Sequence, residues 1–254
     1  MSGMNLYDIV LYGFIVIALG TMPYLFRITA PYGRHSRGGF GPRLNSTLGW
    51  VLMEAPASLV PLGLFLLADG EHRRSPVILA LLALWQLHYF HRAFIFPFRR
   101  RGGAPMPLAI PLMGILFNLG NTYLNWHYLL TLRAPYPPGW FAEPRFVLGA
   151  AVFLAGFAIN QHSDFILLHL RRPGETGYKI PYGGLYRLVS CPNYLGELLE
   201  WIGWAILTWS LPGAVFALWT AANLVPRAVA HHRDYKRRFR DYPPERRALI
   251  PLVL

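Results

Sequence analysis

The chain has 254 residues, 54% of them hydrophobic and only 14% charged, with a formal net charge of +12 at pH 7. A soluble domain carries about 25% charge, so the composition excludes an ordinary soluble domain and indicates an integral membrane protein whose charges sit between apolar runs. The single cysteine, Cys191, excludes an intramolecular disulfide and a multi-cysteine metal site, and the loop-by-loop spread of the positive charge argues topology rather than a nucleic-acid partner.

The first apolar run predicts a span over roughly Leu6–Leu25, with Asp8 near its start. It lacks a basic n-region and is about a full span long, so it reads as a retained helix rather than a signal peptide. Phe26–Thr47 then places Arg27, Arg34, Arg37 and Arg43 among glycines and prolines. This basic loop suits covering an anionic ligand and equally suits a membrane-facing loop. Asn45-Ser46-Thr47 fits a glycosylation sequon, but an expected cytosolic position removes it from modification.

The second span, roughly Leu48–Ala68, contains Glu54 near Pro56 and Pro61. A carboxylate there is costly, and prolines loosen the backbone ladder as in helices that line a cavity. Glu54 is the first candidate for chemistry: desolvation favours its neutral acid, which can donate a hydrogen bond. The alternative is a simple ion pair with Arg92. The third span, roughly Pro76–Phe98, includes His88-Tyr89-Phe90-His91-Arg92, which puts Tyr89 and Arg92 on one face. A phenol with a carboxylic acid opposite makes an oxyanion donor pair. His88 and His91 have metal-ligand spacing, but no further ligands stand near them, and no metal is expected.

Arg99-Arg100-Arg101-Gly102-Gly103 follows, suited to phosphate recognition or to stopping transfer at a membrane surface. The fourth span, roughly Leu108–Leu130, carries Asn118, Asn121 and Asn125 at i, i+3 and i+7, so one face is polar. An aromatic, proline-rich loop Thr131–Arg145 is interfacial in character. The fifth span, roughly Phe146–Leu168, brings Asn160, Gln161 and Asp164. Beyond the basic link Arg171–Gly184, Cys191 reads as a packing residue at the start of a helix. The sixth span, roughly Tyr194–Trp209, carries Glu197 and Glu200 on the face of Asn193. The stretch Asn160–Glu200 is too polar for membrane filler and reads as a ligand site or as interhelical hydrogen bonding. The seventh span, roughly Pro212–Ala230, leads into the tail Ala230–Leu254. That tail holds His231, Tyr235 and seven Lys or Arg residues, and its apolar end is expected to fold back.

The expected fold is therefore an all-α integral membrane protein with seven transmembrane helices. Lys and Arg number eighteen in the first, third and fifth loops plus the tail, against four in the other loops. The positive-inside rule then puts the N-terminus outside and the C-terminus in the cytosol. One membrane-embedded domain is expected, 1–145 mainly substrate-side helices and 146–254 mainly cofactor-side helices, loops and tail. No GxGxxG fingerprint is present, so any dinucleotide is held by the helices and loops themselves.

Asn160–Tyr194 (NQHSDFILLHLRRPGETGYKIPYGGLYRLVSCPNY), Leu195–Trp209 (LGELLEWIGWAILTW) and Asp241–Leu254 (DYPPERRALIPLVL) closely resemble the steroid 5α-reductase family. His88–Arg92 (HYFHR) and the glutamate-proline segment around Glu54 match its first half. The resemblance implies NADPH-dependent reduction of the 4,5 double bond of a 3-oxo-Δ4 steroid such as testosterone or progesterone. It assigns Glu54 and Tyr89 to the 3-keto oxygen, hydride to C5 and a proton to C4. Its cofactor pattern falls on Asn160, Asp164, Arg171, Tyr178, Asn193, Glu197, His231 and Tyr235; Arg100, outside that pattern, is a further candidate phosphate contact from the chemistry of arginine. Met53 stands where steroid reductases often have glutamine, and Arg100-Arg101-Gly102-Gly103 replaces an asparagine-containing segment. The resemblance also implies a multi-pass protein of a bacterial inner membrane or the endoplasmic reticulum, expected as a monomer. The alternatives are reduction of another sterol or polyprenoid double bond, an isoprenylcysteine-type methyltransferase using S-adenosylmethionine, and a non-enzymatic lipid-binding protein.

Overall fold

The computed structural model describes residues 4–29, 35, 41–100, 104–172, 175 and 177–254. Arg34, Arg37 and Arg101-Gly102-Gly103 of the basic loops lie outside the described residues, as do three residues of the basic link. The chain forms two compact units, Met1–Gly13 with Ala30–Val147 and Phe14–Thr29 with Leu148–Leu254.

In the first unit, helix α1 (Leu6–Arg27) contributes its opening turns, where the Tyr7 hydroxyl donates to the Leu124 carbonyl at 3.0 Å. Helix α2 (Ser46–Leu67) starts where the Asn45 side chain accepts from the Thr47 and Leu48 N–H groups at 2.9 and 3.2 Å. The sequon asparagine is thus a helix cap. Pro61 has no N–H for the Ala57 carbonyl four residues back, and the buried Trp85 indole donates to that carbonyl at 2.7 Å. One position on, Ser58 and Gln86 exchange two 2.7 Å hydrogen bonds. The proline that weakens α2 therefore creates its attachment to helix α4 (Pro76–Phe90), across the short helix α3 (Gly70–Arg74).

Helix α4 continues as a π-helical turn, His91–Ile95, into α5 (Phe96–Arg99), so Pro76–Arg99 is one rod. Strands β1 (Arg43–Leu44) and β2 (Met106–Pro107) pair antiparallel, Arg43 with Pro107 and Leu44 with Met106. They tie together the segments that lead into α2 and α6. Helix α6 (Ala109–Thr122) runs straight into a π-helical stretch, Tyr123–Leu132, and packs on α2.

The second unit is built on α7 (Pro144–His169), α8 (Pro192–Thr208) and α9 (Leu211–Arg238). Within it the Trp219 indole donates to the Phe14 carbonyl of α1 at 2.9 Å. Helix α9 runs well past the expected boundary at Ala230, so His231 and Tyr235 belong to a helix rather than to a tail. The hydropathy falls there, but helical spacing does not: Asp234 pairs with Arg237 and Arg238, three and four residues on, each at 2.8 Å. Asp234 itself is buried. The tail does fold back at Arg247–Leu249. The Ser190 N–H donates to the Arg247 carbonyl at 2.8 Å, and Leu249 packs on Cys191 and Ala228. Leu252 and Val253 beyond it remain exposed.

Among the described residues, five helices are long and apolar enough to cross a membrane: Leu6–Arg27, Ser46–Leu67, Pro76–Arg99, Pro144–His169 and Leu211–Arg238. This agrees with an all-α membrane protein. The other two expected spans fall on α6 with its π-helical continuation and on α8, which has 17 residues.

Candidate active site

In the first unit, Glu54 rises from α2 with its side chain 12% exposed. Its Oε1 lies 3.7 Å from the Arg92 Nε, so the ion pair considered from the sequence is present. The π-helical turn that carries Arg92 also lays the guanidinium over the Trp50 and Phe96 rings, 4.6 and 5.1 Å from their centroids. Single π-helical turns inside α-helices recur at functional sites. On its other side Glu54 faces α6, where the Asn118 Nδ2 lies 3.4 Å from Oε2 and donates to the Met53 carbonyl at 2.7 Å.

Tyr89 is buried on α4, three residues before Arg92, its ring centroid 4.9 Å from Trp85 and 4.9 Å from His88. Because Trp85 is itself bonded to α2, the tyrosine ring is held by packing rather than left to rotate. Arg100 belongs to this unit as well: its guanidinium lies over Trp50 at 5.3 Å and donates to the Ser46 hydroxyl at 3.3 Å. The other eight residues of the expected cofactor set lie in the second unit.

There, α7 and α8 meet through glycines. A Cβ on Gly156 would fall 2.6 Å from the Gly196 carbonyl oxygen, and a Cβ on Gly196 would fall 2.6 Å from that of Gly156. Gly149 and Gly203 repeat the contact seven residues away on each helix. Backbones this close bring short polar side chains within bonding distance across the interface. Asn160 Nδ2 donates to the Asn193 carbonyl at 3.0 Å, and Asn193 Nδ2 donates to Asp164 Oδ1 at 3.1 Å. Three expected residues, distant in sequence, thus form one junction. Glu197 follows Asn193 by one turn of α8 and is half-buried.

Helix α9 supplies a second group. Arg227 Nε donates to the Tyr194 hydroxyl at 3.1 Å, and His231 Nε2 lies 3.3 Å from the same oxygen. Tyr235 stacks on Tyr242 at 5.3 Å with the rings 10° apart, and both pack on Ile180. Tyr178 is exposed, with the Arg238 guanidinium 5.2 Å from its ring. Arg171 is exposed too, and its guanidinium donates to the Gly177 carbonyl at 3.5 Å.

Several participants were not singled out from the sequence. Arg246 is 2% exposed, donates through Nη1 to the Pro181 carbonyl at 3.0 Å, and lies over the Tyr182 and Tyr242 rings at 4.8 and 5.3 Å. Its Nε has no hydrogen-bond partner among the described residues. A buried cationic donor left unsatisfied is costly, and an anionic group bound there would relieve it. The residues therefore fit a phosphate-bearing cofactor. Tyr186 is buried with its hydroxyl 3.4 Å from the Ser163 carbonyl; burial first, and the nearby Asp164 charge second, push its phenol well above the ordinary value. Among the described residues, no group of three or more His, Cys, Asp or Glu side chains gathers as a metal site.

The model of the 3-oxo-5-alpha-steroid 4-dehydrogenase family matches residues 104–254. The chain is 45% identical over 222 residues to 3-oxo-5-alpha-steroid 4-dehydrogenase 1 of Macaca fascicularis, covering 87% of this chain and 84% of that protein. It is 42% identical over 240 residues to the human 3-oxo-5-alpha-steroid 4-dehydrogenase 2, covering 94% and 93%. A steroid 5-alpha-reductase of Gossypium hirsutum is 39% identical over 257 residues, covering 99% of each chain.

Proposed function

The chain belongs to the 3-oxo-5-alpha-steroid 4-dehydrogenase family, and from that premise we propose that it reduces the 4,5 double bond of 3-oxo-Δ4 steroids at the expense of NADPH. Members of the family are oxidoreductases acting on a CH–CH bond of steroids and take a nicotinamide cofactor. The choice of NADPH, the residues that act and the seven-span, N-out topology are our reading.

The observation that carries the reading is the pairing of two unlike constellations in one chain. Glu54 and the buried Tyr89 place a carboxyl group and a phenol on α2 and α4 of the first unit. In the second unit Asn160, Asp164 and Asn193 form one polar junction, Tyr194, Arg227 and His231 a second, and Arg246 is a buried cation of the tail.

In the reaction, Tyr89 and the protonated form of Glu54, whose contact with Arg92 is then no longer an ion pair, hold the 3-keto oxygen and donate to it as negative charge develops there, which is where preorganised donors are most effective. Trp85 and His88 fix the Tyr89 ring, so the donor needs no reorientation at the moment of reaction. NADPH, when bound, would supply a hydride for C5, and a proton completes C4. Asn160, Asp164, Arg171, Tyr178, Asn193, Glu197, His231 and Tyr235, together with Arg227 and Arg246, would hold the dinucleotide, and Arg100 would contribute a further phosphate contact. The steroid arrives from the bilayer and the cofactor from the cytosolic face, where the positive-inside rule places the basic loops. Residues 1–145 supply the substrate side and 146–254 the cofactor side of one reductase, which acts as a monomer.

Detergent-purified protein incubated with NADPH and testosterone or progesterone tests this. A 5α-dihydro product with matching loss of nicotinamide absorbance is the expected result. Bound NADPH with no turnover of either steroid would move the assignment to another unsaturated lipid, and no NADPH binding would remove the cofactor site.

A further inference from the structure

Asn118 is a buried polar residue of α6 that the function so far leaves unused. It is 4% exposed, and its one amide nitrogen serves two neighbouring positions of α2: the Met53 carbonyl at 2.7 Å and Glu54 Oε2 at 3.4 Å. The register that allows this is set one turn earlier on α6, where Gly114 leaves room for the Met53 side chain; a Cβ there would meet the Met53 Sδ at 2.6 Å. Pro56 removes the N–H that would otherwise engage the Leu52 carbonyl, so α2 is tethered by α6 next to the point where its own ladder is interrupted.

We propose that Asn118 is a positioning residue for Glu54, fixing the orientation of its carboxyl group in the site. This rests on the reading that Glu54 holds the 3-keto oxygen. An amide N–H can only donate, so Oε2 must accept in either protonation state of the carboxyl. The Arg92 guanidinium is likewise a donor only, so Oε1 faces it as an acceptor, and the two contacts together fix the plane of the carboxyl. The short bond to the Met53 carbonyl anchors the amide while the longer one orients the carboxyl. Asn118 therefore acts through Glu54 and touches neither substrate nor cofactor.

A double-mutant cycle in the full-length enzyme separates this role from plain packing. Asn118→Leu keeps the volume and removes the donor; it is expected to lower kcat by about 10-fold while the steroid KM and the NADPH dissociation constant stay within 2-fold. In a Glu54→Met background, which offers the amide no oxygen acceptor, the same change is expected to have no further effect on the residual kcat. Asn118→Ala, which leaves a void rather than a misfit, is the second variant and should give the same non-additivity. Equal losses in both backgrounds, or unchanged kcat in Asn118→Leu with wild-type Glu54, would overturn the proposal. Full activity of Glu54→Met alone would instead remove Glu54 from the chemistry, an outcome that strikes the underlying reading first.

Discussion

Gly156 on α7 and Gly196 on α8 face one another so closely that a Cβ on either would lie 2.6 Å from the other's carbonyl oxygen. The consequence is chemical as well as structural, because the next turn of α7 and the first turn of α8 carry Asn160, Asp164 and Asn193. Gly196→Ala must push the helices apart, at a cost of about 1–3 kcal/mol. It should also stretch the 3.1 Å bond between Asn193 and Asp164. The expected outcome is NADPH affinity weakened by about 10-fold, read by titration of bound cofactor, with steroid KM far less affected. Equal losses in both would place the effect in general stability.

Tyr89→Phe keeps the ring against Trp85 and His88 but deletes the hydroxyl. Removing one oxyanion donor costs about 10²–10³ in rate, or roughly 2.7–4 kcal/mol. Steady-state kinetics should show that loss in kcat with NADPH binding retained. Unchanged turnover would take Tyr89 out of the mechanism.

How much of this the chain discloses by itself differs from element to element. The helices of α1, α2 and α7 follow directly from apolar runs of membrane length. The end of α9 does not, because polarity rises at His231 while helical geometry continues through Arg238; a reading based on hydropathy stops where the apolar surface stops. The π-helical turns at His91–Ile95 and Tyr123–Leu132 leave no mark in composition, since they change the ladder and not the residue types. Glu54 and Tyr89 are legible because a carboxylate and a phenol are expensive in a span. Asn118 shows its polar face, but its partner lies 64 residues away, and only the fold discloses the contact. The glycines at 149, 156, 196 and 203 were readable as a seven-residue repeat on two helices and would have predicted the α7–α8 junction.

Alkaline pH should weaken the second unit. Tyr186 and Tyr242 both lie outside the spans, and burial is the first cause that raises each phenol above its ordinary value. A folded-state pKa above the unfolded value contributes stability that is complete below the unfolded pKa of about 10 and is lost as pH rises toward the folded one. The thermal midpoint of the purified protein should therefore fall above about pH 10. In the Tyr186→Phe, Tyr242→Phe double variant the fall should be shallower. An identical slope in the variant would assign the alkaline loss to other groups.

The most direct test of the central claim, that hydride passes from NADPH to C5 while the 3-keto oxygen is held, is isotopic. With NADPH deuterated at the transferable position of the nicotinamide and testosterone as substrate, a 5α-dihydro product carrying one deuterium, at C5, is expected. Deuterium at C4, or a reduced product without the label, would contradict it.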